Sequence, residues 1–153
     1  MIAIKKLLVP TDFSEYSKFA LRYAVALAKS FGAKVHVIHV HEPYPHGSVL
    51  EGIYYDPEIM EKVKSKEEEA LDTIVKELRD QQQIDAEAVF VKGRPFMEII
   101  RQAEQLEADL IVIATHGRKG VSHLVFGSTA EKVVRMAPCP VLTVKHPEHD
   151  FVG

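Results

Sequence analysis

The sequence contains one cysteine, Cys139, which excludes an internal disulfide and fits a reducing compartment. Long apolar runs are missing as well. No stretch approaches the roughly twenty residues of a membrane span, and the opening MIAIKKLLVPTDFSE lacks the apolar core of a signal peptide. The expected address is therefore cytoplasmic. An excess of basic charge is also absent: the formal net charge is −3, so no broad positive field is available to hold a nucleic acid. Neither G-x-G-x-x-G nor G-x-x-x-x-G-K-[ST] occurs, which excludes the standard dinucleotide fingerprint and the Walker loop. With no low-complexity linker and no internal repeat, the 153 residues read as one domain, expected over 1–146, with a polar tail over 147–153.

What is present centres on Asp109 to Arg135, DLIVIATHGRKGVSHLVFGSTAEKVVR. Leu110 to Ala114 is long enough for a buried strand and too short for a typical helix. A polar, glycine-bearing loop follows from Thr115 to Gly120, and Gly127-Ser128-Thr129 then opens an amphipathic run, Ala130 to Met136. Glycines let a backbone turn with its amides exposed, and the first amides of a helix point at negative charge. Hydroxyls of Ser128 and Thr129 add donors; Arg118 and Lys119 add positive charge. A phosphate site fits these residues. So does a plain strand-to-helix loop in which a hydroxyl caps the helix.

The remainder alternates strand and helix. Ala3 to Val9 reads as a strand stopped by Pro10, and Ser14 as the cap of a helix over Glu15 to Phe31 that Gly32 closes. Lys34 to His41 is a β-branched strand, followed by a long loop, Glu42 to Asp56, with Tyr44, Tyr54 and Tyr55. Pro57 suits the start of a helix over Glu58 to Gln81, whose KSKEEEA stretch reads as its solvated side. Ala86 to Val91 is a third strand, about Phe96 to Leu106 a helix, and Pro140 to Lys145 a fifth strand. This alternation predicts an α/β fold: an open, mostly parallel five-stranded sheet, doubly wound with helices on both faces. Ligands in such sheets settle at the carboxyl ends of strands where the topology reverses, which brings together the loops after Pro10, Val40 and Ala114.

With these residues placed, the chain resembles the universal stress proteins of single-domain type. KKLLVPTDFSEYSKFALRYAVALA, VHVIHV, VKGRP and ATHGRKGVSHLVFGSTAEKVVRMAPCPVLTVK carry the likeness, over essentially the whole chain. The resemblance implies a Rossmann-like sheet of strand order 3-2-1-4-5 and an ATP site described by G-x2-G-x9-G-[ST]. That pattern falls on Ala114, Gly117, Gly127 and Ser128, so alanine stands in place of the first glycine. It further implies that Pro10, Thr11 and Asp12 lie along the nucleoside, with Asp12 taking the ribose hydroxyls. Val40 would read the adenine edge through its main chain, and Ile113 and Ala114 would line the pocket. Gly117, Gly127, Ser128 and Thr129, helped by Arg118, would hold the phosphates, with Mg2+ carried by the ATP. A homodimer through the last strand, Val141 to Lys145, is also implied.

Each residue has a plainer reading beside that one. Asp12 can cap the first helix or its loop, Thr11 can be a turn residue, and Cys139 can be a small apolar residue between prolines. His39 and His41 share one strand face with His46 in the next loop, but no fourth ligand completes a metal site. His116 has no paired base or nucleophile. Three functions fit: a nucleotide-dependent switch or adaptor, a slow ATP hydrolase, and a dimer acting through protein contacts alone. No base and nucleophile pair supports the enzyme.

Overall fold

The structure, a computed structural model, describes residues 1–43, 56–116, 127–145 and 152. Among them run β1 (Lys6–Pro10), α1 (Glu15–Phe31), β2 (Lys34–His41), α2 (Pro57–Asp80), β3 (Ala86–Lys92), α3 (Pro95–Leu106), β4 (Leu110–Ala114), α4 (Ser128–Met136) and β5 (Val141–Val144). The strands form one parallel sheet in the order β3-β2-β1-β4-β5, as expected.

Successive strand residues point to opposite faces, so each strand feeds two core layers. Leu7, Val9, Val35, Val37 and Val112 pack under α1 and α2, against Ala20, Ala24, Leu71 and Val75. Leu8, Ile38, Ile111 and Ile113 pack on the other face, against Ile99 and Ala103 of α3 and Ala130 and Val133 of α4. Runs buried on both sides are what a parallel sheet covered by helices requires.

Local chemistry sets the element ends. Ser14 Oγ accepts the Ser17 N–H and caps α1, and Gly32 closes it in the left-handed region at φ 67°. Asp56 caps α2 through the Glu58 N–H, with Pro57 at its first position. β1 begins at Lys6 instead of Ala3, because Asp109 Oδ2 takes the N–H groups of Lys5 and Lys6 at 2.8 and 2.9 Å. A side chain replaces strand partners there. The described tail residue, Val152, is half-buried, and its carbonyl accepts from Arg22 Nη2 at 2.7 Å.

One irregularity shapes the sheet. The Lys6 carbonyl accepts the Asp109 N–H from the β4 side, while the Thr11 N–H donates to Ile38 on the β2 side. Main-chain groups of β1 alternate, so even-numbered residues face β4 and odd-numbered ones face β2. Pro10 thus presents its missing N–H to β4. The β1–β2 register runs on to Pro10↔Ile38, whereas the β1–β4 register runs over Leu7↔Leu110 and Leu8↔Ile111. Ladder pairing of β1 with β4 therefore stops short of the carboxyl ends, where the direction of strand order reverses, and leaves an opening in the hydrogen-bond ladder there.

Candidate functional site

The β1–α1 loop forms one wall of this opening. Thr11 is buried, with its hydroxyl 3.1 Å from that of Ser17 and accepting the Phe13 N–H at 3.1 Å. Asp12 is half-buried, and its Oδ1 accepts the Ser14 N–H at 3.0 Å, a local turn that supports the cap of α1. Phe13 holds a left-handed backbone, φ 65°, unusual for a bulky residue. Its ring lies 4.4 Å from that of His39.

β2 supplies the second wall. The Lys34 N–H donates to Lys5 and the Ile38 carbonyl accepts from Thr11, so even-numbered residues of β2 turn their main chain toward β1. Val40 comes two residues after Ile38, the partner of Pro10, so its amide and carbonyl face the space beyond the end of β1. Its side chain meanwhile belongs to the core beside α3.

The third wall is the junction of β4 with α4. Thr115 is 2 % exposed; its N–H donates to Val144 at 3.1 Å and its carbonyl accepts the Gly127 N–H at 2.7 Å. A Cβ added at Gly127 would sit 3.2 Å from that same carbonyl oxygen, so a side chain there crowds the contact. The glycine seats the start of α4 directly against the end of β4. Gly127 is itself the helix cap, α4 begins at Ser128, and the cap makes no side-chain hydrogen bond to the first turn. The alternative of a hydroxyl cap is thereby overturned: Ser128 and Thr129 lie inside the helix, and the first-turn amides have no side-chain acceptor among the described residues. Those amides carry the positive end of the helix dipole.

Ile113 is a core residue beside α3 and α4, while Ala114 packs its methyl into the layer under α1. Among the described residues, the non-glycine residues with positive φ are Phe13, Gln83 and Glu107, so Ala114 has no backbone demand that only glycine meets. Gly117 and Arg118 lie outside the described residues, as do Lys119, His46 and the tyrosines of the 44–55 stretch. Cys139 is half-buried against the core beside α3 and α4, and burial pushes its thiol up.

The structure thus brings Pro10, Thr11, Asp12, Val40, Ala114, Gly127, Ser128 and Thr129 to the carboxyl edge of one sheet. Sequence reading passed over Thr115, Ser17 and Glu67. Within KSKEEEA, Glu67 is not on the solvated side: its side chain is 15 % exposed, and its Oε2 lies 2.6 Å from His41 Nδ1 and 3.2 Å from His39 Nε2. Two buried histidines on one strand face needed such a partner, and that was the available signal. Among the described residues, no group of three or more His, Cys, Asp or Glu is arranged to hold a metal ion. No helix among them is long and apolar enough to cross a membrane.

Fold and site together define an open, doubly wound α/β protein whose candidate site lies at its topological switch point. The model of the universal stress protein family matches residues 3–145, and the chain belongs to that family. It is 37 % identical over 147 residues to universal stress protein MJ0531 of Methanocaldococcus jannaschii, covering 95 % of this chain and 85 % of that one. The solved structure of MJ0577, from the same organism, is 30 % identical with a TM-score of 0.83, covering 97 % of this chain and all of that one (100 %). A universal stress protein from Archaeoglobus fulgidus, solved in complex with dAMP, is 26 % identical with a TM-score of 0.64, covering 95 % of this chain and 100 % of that one.

Proposed function

We propose that this universal stress protein binds an adenine nucleotide, with ATP the expected form, and acts as a homodimeric switch or adaptor. The observation that carries the reading is the contact of Gly127 with Thr115, which sets the first-turn amides of α4, without a side-chain acceptor among the described residues, beside the carboxyl end of β4. In this reading Ser128 and Thr129 join Gly127 at the phosphates, with Gly117 and Arg118 from the loop before them. Asp12 takes the ribose, the outward main chain of Val40 reads adenine, and Pro10, Thr11, Ile113 and Ala114 shape the pocket. Mg2+ travels with the phosphates and needs no dedicated protein cage. That the Archaeoglobus relative was solved with dAMP supports an adenine nucleotide as the ligand class.

Calorimetric titration with Mg-ATP, ADP and AMP tests the reading, with a Gly127→Val, Ser128→Ala double variant as control. Saturable heat that the variant loses is the expected result. No heat and no thermal shift with any of the three would refute nucleotide binding. For assembly, β5 is an edge strand, and edges invite pairing with a second copy. The carbonyls of Pro140 and Val144 face β4, so Thr143 turns its N–H outward. Thr143→Pro removes that donor without breaking a β4 bond and should convert the dimer to monomer in sedimentation. A wild-type chain that sediments as a monomer would sink the dimer.

A further inference from the structure

We propose that β3 pairs with β3 of a second copy of this chain, antiparallel about Phe90, so that Lys92 of each copy enters an acidic cleft of the other. β3 is an edge strand, and its main-chain groups alternate in direction. The Asp85 carbonyl accepts the Val35 N–H and the Gly93 N–H donates to the His41 carbonyl, so odd-numbered residues face β2. Ala86, Ala88, Phe90 and Lys92 therefore turn their main chain outward. The Ala86 carbonyl is taken by Arg79 Nε at 2.8 Å. The outward groups of Ala88, Phe90 and Lys92 have no partner among the described residues, which leaves an open ladder from Ala88 to Lys92.

The centre of that ladder, Val89-Phe90-Val91, reads the same from either end. Antiparallel pairing of two copies about Phe90 sets Phe90 against Phe90 and Ala88 against Lys92 as hydrogen-bonded pairs. Val89 then stands against Val91 in the closer, non-bonded pairs. All three apolar residues are half-buried, so each has surface left to cover. Neighbouring registers lose this match. Centring on Val89 sets Lys92 against Ala86, whose carbonyl Arg79 already holds. Centring on Val91 sets Ala88 against Arg94, beyond the end of β3.

Charge favours the same register. Ala88 lies opposite Val37, which belongs to the core layer under α2, and it lines a cleft with Asp72, Val75 and Asp80 of that helix. Of the other charges bordering the cleft, Glu87 is paired with Lys34 at 3.0 Å and Arg79 is held at the Ala86 carbonyl. Asp72 and Asp80 are left facing Lys76 alone. Residues directly opposite across two strands share a face, so Lys92 of the second copy, opposite Ala88, enters this cleft. Neither Asp72 nor Lys92 forms an ion pair among the described residues, and both are exposed. A lysine on an edge strand normally discourages strand addition. In this register it meets a carboxylate instead.

The test is sedimentation of the full chain in a Thr143→Pro background, which removes pairing through β5, from about 10 µM to about 1 mM protein. So small a contact is weaker than β5 pairing, and it should appear as a monomer–dimer equilibrium at the upper end of that range. Lys92→Glu sets carboxylate against carboxylate and should weaken association about tenfold; adding Asp72→Lys should restore it. A parent chain that stays monomeric throughout would overturn the proposal, as would a Lys92→Glu chain that associates like its parent or a double variant that fails to recover. Amide hydrogen exchange locates the contact. The outward amides of Ala88, Phe90 and Lys92 should slow as concentration rises, while those of Val89 and Val91, already bonded to β2, should not change. No slowing at the outward three would also overturn it. If the Thr143→Pro chain keeps its β5 pairing, the same comparisons read dimer to tetramer. The pairing uses neither the nucleotide site nor β5, so its failure leaves the proposed function standing.

Discussion

Replacing Gly127 by alanine puts a methyl group 3.2 Å from the Thr115 carbonyl oxygen, which the Gly127 amide already contacts at 2.7 Å. The backbone at Gly127, φ −58° and ψ 148°, is open to any residue, so torsional strain is not the issue. Alanine narrows the unfolded ensemble, which favours the variant by about 0.4–1 kcal/mol. Against this, alanine is the poorer helix cap by about 0.5–1 kcal/mol. Moving the methyl off the carbonyl also lengthens a hydrogen bond worth about 0.5–1.5 kcal/mol, at a residue that is fully buried. The balance is a loss of about 1 kcal/mol, or about 2–4 °C in Tm for a chain of this size. Urea unfolding of wild type and Gly127→Ala measures it. A variant as stable as wild type, or more so, would refute the argument that glycine is there for close approach. ATP affinity should fall as well, because the first turn of α4 moves with its cap.

Two further outcomes follow from groups away from that junction. Both ring nitrogens of His36 are buried without hydrogen-bond partners among the described residues, and burial holds its pKa below the ordinary histidine value. Glu87, 3.5 Å away, pulls the other way, while Lys34 and Lys6 reinforce the lowering. The depressed folded value means that stability is fully present above about pH 6.5, the unfolded value, and is lost as pH falls through the folded value. Each tenfold difference in proton affinity between folded and unfolded ring is worth about 1.4 kcal/mol. The urea midpoint should therefore drop on mild acidification, and His36→Met should lessen the drop; an unchanged slope in the variant would contradict this. Glu107 ends α3 in the left-handed region, φ 51°, where its N–H reaches the carbonyls of Ala103 and Glu104. Glu107→Gly relieves that conformation and should raise stability by about 1 kcal/mol in thermal unfolding; a lower Tm would count against it.

The alternation of strands and helices was legible because β-branched runs such as VHVIHVH are bounded by strong punctuation at Pro10, Gly32 and Pro57. The edges were less so. Asp109 displaced the start of β1 by offering a carboxylate to two amides, an interaction between residues far apart in the chain. Ser128 is the residue a pattern selects as cap, yet the 2.7 Å approach to Thr115 gives that place to Gly127. Helix α3 closes without the glycine that normally marks such an end. Glu67 lay hidden inside a charged run, and only the rotation of α2 over β2 turns it inward. Of the candidate site, the residues on strand ends were placed by topology alone. What each side chain bonds to, as with Thr11 and Ser17, required the fold.

Pro10 has a consequence during synthesis as well as in the finished sheet. β1 leaves the ribosome long before β4, which opens at Leu110, yet the sheet needs β1 at its centre. β2 and β3 can dock first, and until Leu110 to Ala114 appear the opposite edge of Leu7, Leu8 and Val9 stands without its neighbour. Lys5 and Lys6 precede that apolar triplet and Pro10 follows it, the arrangement that discourages intermolecular strand addition. The residue that ends the pairing of two strands in the folded molecule thus also discourages nascent chains from pairing with one another.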